Sequence, residues 1–447
     1  MTYLDLVMRF AGSYFDTRHN ELLRKTPIPN SSSPAVIGCQ HIALPEWAAD
    51  LGVDTPPSLL VPRHCLCDGE GPSWSRVDWH RAAFDMLTCQ AELSIEQEKG
   101  SVHSYAFRLP KELSPYWSYA WVNRILLFLR RWVAHREGLA EEQLFGPRPR
   151  GRIHLTHDVD YVSKTLALRI KQVGFTGFNL VKSASRGQFK RSGPLISRLV
   201  DFGIRGGDYW RFPEIIGLEA EFGLTSTWHF YGGPGGLQRP LPELILDPSY
   251  KVENPRLVEQ IKSLQAKGHN VGLHQGYFSW CDGDRMKQER IRLESATGIT
   301  AVHCRQHWLR FGFLRTWEAQ EQAGLRVDST LGFNDRPGFR NGAALLAPAW
   351  LPSRQRFSDS LRALPMVLMD SHLFDYGMLS QAARRSTINR LLDEVAFVGG
   401  EASVIWHQRV FHPDYGWDTE YRYLLQGILE RFGKHEASAT LESPCQY

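Results

Sequence analysis

The sequence predicts an α/β protein whose last two-thirds close into a barrel of parallel strands. Three observations carry this. From Arg152 onward, short apolar runs alternate with helical patterns, the mark of βα units. Seven or so such runs suit a closed barrel better than a doubly wound sheet. Just upstream, Pro147-Arg148-Pro149-Arg150-Gly151 punctuates the chain, because proline biases its predecessor away from helix and the charges keep the segment wet.

The elements follow in order. Residues 1–150 read as a smaller α+β domain, with helical periodicity over 78–93 and 115–136. Residues 27–77, rich in Pro, Ser and Gly, read as mostly loop. Residues 151–447 hold the barrel. Strands are expected at 153–155, 224–231, 270–273, 300–304, 325–329, 364–369 and 403–406. Helices are expected at 212–222, 255–267, 284–297, 314–323, 380–397 and 418–432. Gly268 and Gly324 close two of them.

Bulk properties narrow the function. Across 447 residues, 43% are hydrophobic and 22% charged, as in ordinary globular proteins, and the net charge of +4 is too mild for a nucleic-acid partner. The 182–211 stretch is more basic, with Lys182, Arg186, Lys190, Arg191, Arg198, Arg205 and Arg211 against Asp201 and Asp208. It is either a solvated face or a patch for phosphate or a membrane surface. The seven cysteines are odd in number and irregular in spacing, which speaks against a disulfide framework, and His64-Cys65-Leu66-Cys67 lacks a second pair at zinc spacing. The first residues lack the basic start and apolar core of a secretory signal. The apolar 117–135 stretch carries Arg124, Arg130 and Arg131, so it reads as an amphipathic helix and not a membrane span. A cytoplasmic protein is expected, with peripheral membrane contact left open.

Barrel enzymes gather reactive groups at the C-terminal ends of their strands, and here four strand ends carry them. The first runs into Thr156-His157-Asp158-Val159-Asp160. Its two acids leave an extended segment on one side and repel unless a cation or proton sits between them. One solution is that one acid binds a metal while the other handles protons; Asp160 could equally cap a following helix. Another strand ends at His274, whose neutral imidazole would be a good ligand for divalent zinc, or simply a hydrogen-bonded loop residue. Arg305 and His307, two apart at the next end, suit pairing with a carboxylate and ligation or sugar contact. Val404-Ile405-Trp406-His407 ends in a histidine placed to give up a proton.

This order of motifs, acid-x-acid, Gly-His-x-Val-Gly-x-His, Arg-x-x, then apolar-Trp-His, resembles the polysaccharide deacetylase family with its NodB homology domain (carbohydrate esterase family 4-like). The resemblance spans about 152–432 and includes Asp328-Ser329-Thr330-Leu331 and Arg336-Pro337-Gly338-Phe339-Arg340. More narrowly, the chain is similar to a variant of bacterial surface-polysaccharide (O-antigen or capsule, lipopolysaccharide) biosynthesis that carries an extra N-terminal domain. The resemblance implies a distorted (β/α)7 barrel and metal-dependent hydrolysis of N-acetyl groups on an amino sugar. It implies Asp158 as general base, Asp160 and His274 as metal ligands, Arg305 as the residue orienting the base, and His407 as general acid. One departure stands out: the family places a second histidine ligand four residues after the first, and here that residue is Phe278. His307 is the replacement candidate for the divalent metal, expected to be Zn2+, with His157, His303 and His372 behind it. Trp308 and Tyr277 are the expected substrate contacts, with Phe311 and Trp417 as further faces for a sugar or as core. The substrate would be an N-acylated sugar, free, nucleotide-linked, lipid-linked or polymeric. The alternatives are a deformylase of a modified sugar and a degenerate, non-catalytic carbohydrate-binding protein.

Overall fold

The structure, a computed structural model, describes residues 2–12, 14–15, 20–163, 208–236 and 238–434. Most of the basic stretch, Lys182 to Arg205, and Cys445 lie outside the described residues. Within them, Asp208 pairs with Arg256 at 3.0 Å and Arg211 with Glu214 at 2.6 Å. The six described cysteines are unbridged. Among the described residues no helix is long and apolar enough to cross a membrane.

Eleven strands are present among the described residues. β1 (Cys39–Ala43) and β2 (Ser58–Pro62) form an antiparallel hairpin. The others, β3 (Arg152–Val159), β4 (Ser226–Tyr231), β5 (Asn270–Gln275), β6 (His303–Gln306), β7 (Val327–Asp328), β8 (Ala347–Leu351), β9 (Arg356–Ala363), β10 (Met366–Met369) and β11 (Glu401–Ile405), make one sheet ordered β10-β11-β3-β4-β5-β6-β7-β9-β8. All neighbours are parallel except β8 and β9.

By strand pairing the sheet is open, but the covalent chain closes it. β9 ends beside β7, with Ala363 opposite Asp328, and after two intervening residues β10 begins beside β11, with Met366 opposite Ser403. Between them, Leu364 N–H donates to Asp328 O and Met366 N–H to Leu331 O, both at 2.8 Å. One bent segment thus bridges β7 and β11, and β3, β4, β5, β6, β7, β9–β10 and β11 become a ring of seven. This is the distorted (β/α)7 barrel. Apart from β9, whose Asp359 and Ser360 are exposed, its strands are buried almost throughout, as parallel strands covered by helices must be. Phe212–Phe222, Pro255–Ala266, Gly283–Thr297, Thr316–Gln322, Gln381–Val398 and Asp418–Phe432 are the helices of the outer layer.

The first 150 residues add helices and the hairpin, and one continuous apolar core joins them to the barrel. Asn123 donates to Ala344 O and accepts from Ala344 N–H, both at 2.9 Å, and the buried Arg124 pairs with Glu394 at 2.5 Å. At the junction, Gly399 has φ 62°, and a Cβ there would lie 2.1 Å from Pro149 O, so only glycine lets the chain pass.

Four expectations need correction. The helix expected over 78–93 is two, Trp79–Leu87 and Gln90–Lys99, broken at Cys89, which takes φ 53° with no glycine or proline to announce it. The 115–136 helix is a 3-10 segment, Lys111–Trp117, followed by Trp121–Glu137. The strand expected at 300–304 sits later, at His303–Gln306, and residues 27–77 contain the β1–β2 hairpin.

Candidate active site and metal centre

On β3 the alternation of side chains sends Thr156, Asp158 and Asp160 into the barrel and His157 out of it. His157 stacks near Trp228 and bonds Glu219 at 2.8 Å, so it braces the outer layer. Asp158 is opposite His229 in register, Tyr231 opposite His274, and His274 opposite Arg305. Register therefore aligns the strand ends that the sequence singles out. Gly272 makes room for this: a Cβ there would lie 2.7 Å from the His229 ring.

Asp158 is held by a cation. Arg305, fully buried, donates to Asp158 Oδ1 at 3.1 Å, to Thr156 Oγ1 at 2.6 Å and to Ser329 O at 2.9 Å. His229 Nδ1 lies 3.2 Å from the same carboxylate. Burial alone would push the Asp158 carboxyl up, but Arg305, with His274 and His229, holds it far below the usual carboxylate range. His229 itself is driven down to about 3 by burial and Arg305, so it is neutral.

Three acceptors converge beside it. Oδ1 of Asp160 lies 3.3 Å from His274 Nε2 and 3.5 Å from His307 Nε2. His274 Nδ1 donates to Arg305 O at 2.9 Å, which leaves a lone pair on Nε2. His307 Nδ1 faces Asp247 Oδ1 at 3.4 Å, which does the same for its Nε2. Among the described residues, neither Asp160 Oδ1 nor His274 Nε2 finds a hydrogen-bond partner, although both are buried. Lone pairs facing each other at such distances repel unless a cation or a proton sits between them. Two imidazoles and a carboxylate, each imidazole steered from behind by an oxygen, are the donor set of a divalent site. The residues present fit the expected metal. The other Asp160 oxygen is bound by Arg409.

His407 stands across the site, its Nε2 3.6 Å from Asp160 Oδ2. Asp370 accepts from the His407 backbone N–H at 2.6 Å, and both its oxygens lie 3.0 Å from Nδ1. Burial would lower the His407 pKa, but the Asp370 carboxylate wins and raises it.

The structure thus gathers Asp158, Asp160, His274, Arg305, His307 and His407 into one contiguous cluster. Of the weaker ligand candidates, His372 spends both ring nitrogens on Met369 N–H and Phe333 O, at 3.0 and 2.8 Å, and neither it, His157 nor His303 joins the acceptor cluster. Phe278 is also outside that cluster. Trp308 and Tyr277 are half-buried: Trp308 Nε1 donates to Leu246 O at 3.2 Å, and Tyr277 lies beneath the Arg310 guanidinium at 4.2 Å. Phe311 is buried, and Trp417 is buried and stacked on Phe374, so both serve the core.

His64, Cys65 and Asp85 also lie close together. There, however, His64 Nδ1 accepts from Val36 N–H at 3.2 Å and Nε2 donates to Asp85 at 2.8 Å, so no ring lone pair remains for an ion.

Four residues of the site escaped the sequence reading: His229, Asp247, Asp370 and Arg409. Asp370 directly follows β10, so the strand-end rule reaches it. Asp247 ends the short helix Leu241–Leu246, and no local pattern marks it.

Comparison with known proteins gives distant likenesses. No family profile and no curated protein matches the chain. Among solved structures it is similar to a protein from Mycobacterium smegmatis provisionally assigned as a polysaccharide deacetylase, at 17% identity and TM-score 0.36, over 63% of this chain and 84% of that one. It is similar to a peptidoglycan N-acetylglucosamine deacetylase at 10% identity and TM-score 0.31, over 65% and 92%. A Bacillus anthracis CE4 family pseudoenzyme matches at 11% identity and TM-score 0.27, over 66% and 72%. The chain resembles polysaccharide deacetylases, at a distance that carries over no activity.

Proposed function

We propose that this protein is a metal-dependent hydrolase that removes an N-acyl group, in the first place acetyl, from an amino sugar of bacterial surface-polysaccharide biosynthesis. One observation supports this above the rest: three metal-type acceptors converge between an arginine-held aspartate and an aspartate-held histidine. A binding module has no use for base, orienter and acid together.

Asp160, His274 and His307 would hold the ion, zinc by the softness of two imidazoles. When bound, a divalent cation supplies Lewis acidity toward the amide carbonyl and makes water a better nucleophile at neutral pH. The chain's own groups do the rest. Asp158, kept ionised by Arg305, takes the proton of the attacking water. His407, kept protonated by Asp370, gives a proton to the departing amine, which leaves poorly as an anion. Trp308 and Tyr277 offer flat faces to a sugar ring. The substrate is free, nucleotide-linked, lipid-linked or polymeric, and the reaction belongs to the cytoplasm.

The test is release of amine and carboxylate from N-acetylated amino sugars of these classes with zinc added and Asp158→Asn as control. Acetate release lost in the variant supports the reading, and formate release from N-formyl sugars would redirect it to a deformylase. Phe278 favours the rival of a non-catalytic binding protein. That rival gains if folded, zinc-loaded protein binds these sugars and hydrolyses none.

A further inference from the structure

We infer that Ser104 and Asn334 are positioning residues for His307, and that bracing this ligand is what the first 150 residues contribute to the site. The inference rests on the metal reading above.

His307 is followed by two non-glycine residues in left-handed backbone, Trp308 at φ 58° and Leu309 at φ 46°. Residues with a Cβ resist this region, and two in succession persist only where the surroundings over-determine them. Here both carbonyls are gripped. The Ser104 hydroxyl donates to Leu309 O, and Asn334 Nδ2 donates to Trp308 O at 2.6 Å.

The grip is itself anchored. Asn334 N–H donates to Ser104 O at 2.7 Å. Arg340 donates to the Ser104 hydroxyl at 3.2 Å and to His103 O at 2.6 Å, and pairs with buried Glu92 at 2.9 Å. Farther along the same loop, His103 Nδ1 lies 3.1 Å from Phe311 O. The Glu96 carboxylate accepts from Phe313 and Leu314 N–H at 3.0 and 3.1 Å. Residues 92–104 therefore clamp the stretch that leaves His307. Without the clamp, Trp308 and Leu309 would relax toward common backbone angles, and the His307 ring would turn away from Asp160. Position 278 holds phenylalanine, and among the described residues no further histidine, cysteine or acid joins Asp160, His274 and His307 in the acceptor cluster, so nothing there replaces this ligand.

The experiment measures zinc affinity of the full chain by chelator competition, for wild type, Ser104→Ala, Ser104→Thr, Asn334→Ala and His307→Ala, with thermal unfolding of the metal-free proteins alongside. Loss of outer partners weakens metal sites about 10- to 100-fold. Zinc binding should weaken roughly tenfold in Ser104→Ala and Asn334→Ala, with Ser104→Thr close to wild type. A merely structural role would lower the unfolding temperature and leave the affinity of the folded protein unmoved. If Ser104→Ala does not fold, Asn334→Ala decides. Wild-type affinity in the alanine variants, with His307→Ala impaired, overturns the inference and leaves the metal reading standing. Wild-type protein that takes up no zinc overturns both.

Discussion

Asp370 holds His407 at two points, accepting its backbone N–H at 2.6 Å and facing its Nδ1 at 3.0 Å. The backbone bond fixes where the ring is, and the second contact fixes its protonation. The carboxylate raises the His407 pKa against the pull of burial. A general acid must be protonated to work, so removing the negative charge should let the proton go at lower pH. In Asp370→Asn the alkaline limb of the kcat profile therefore moves to lower pH. At mildly alkaline pH, kcat falls by a part of the ~10²–10⁴-fold that acid catalysis contributes. An unmoved limb would take the acid role away from His407.

Asp158 and Arg305 separate chemistry from stability. Asp158→Asn keeps the shape and a hydrogen-bond acceptor for Arg305 but lacks a base, so turnover should drop about 10²–10⁴-fold with the fold intact. Arg305→Met does the reverse to the pair, leaving a buried carboxylate without its cation. That should destabilise by about 3–5 kcal/mol, read from denaturant midpoints. Undiminished turnover in Asp158→Asn, or wild-type stability in Arg305→Met, would contradict the assignment.

Glu289 provides a stability test away from the chemistry. It accepts from Gly276 N–H at 3.0 Å and Ser279 hydroxyl at 2.6 Å, and so pins the loop after His274. Burial pushes its carboxyl from 4.5 up to about 7. A raised folded value means its stability is fully present below the unfolded value and is lost as pH rises through the folded one. From pH 5 to 8, wild type should lose up to about 3 kcal/mol relative to Glu289→Gln. A difference flat across that range would show that the side chain titrates normally.

Much of this was legible in the sequence, for a physical reason. Parallel strands buried on both faces show as short apolar runs, and barrel chemistry sits where those runs end, so Asp158, Asp160, His274, Arg305, His307 and His407 stand out. What hid was set by tertiary contact. Cys89 breaks a helix without glycine or proline. The β8–β9 hairpin carries Pro348, Arg356, Asp359 and Arg362, which blur any strand pattern. Asp247 reaches His307 from 60 residues away, a pairing that local periodicity cannot contain.

The central claim is that three acceptors share one ion, and metal stoichiometry after exhaustive dialysis measures it most directly. Wild type supplied with zinc should hold about one equivalent, while His274→Ala and His307→Ala, folded by circular dichroism, should hold far less. Zinc retained equally by His307→Ala, or by none of the three proteins, would contradict the account.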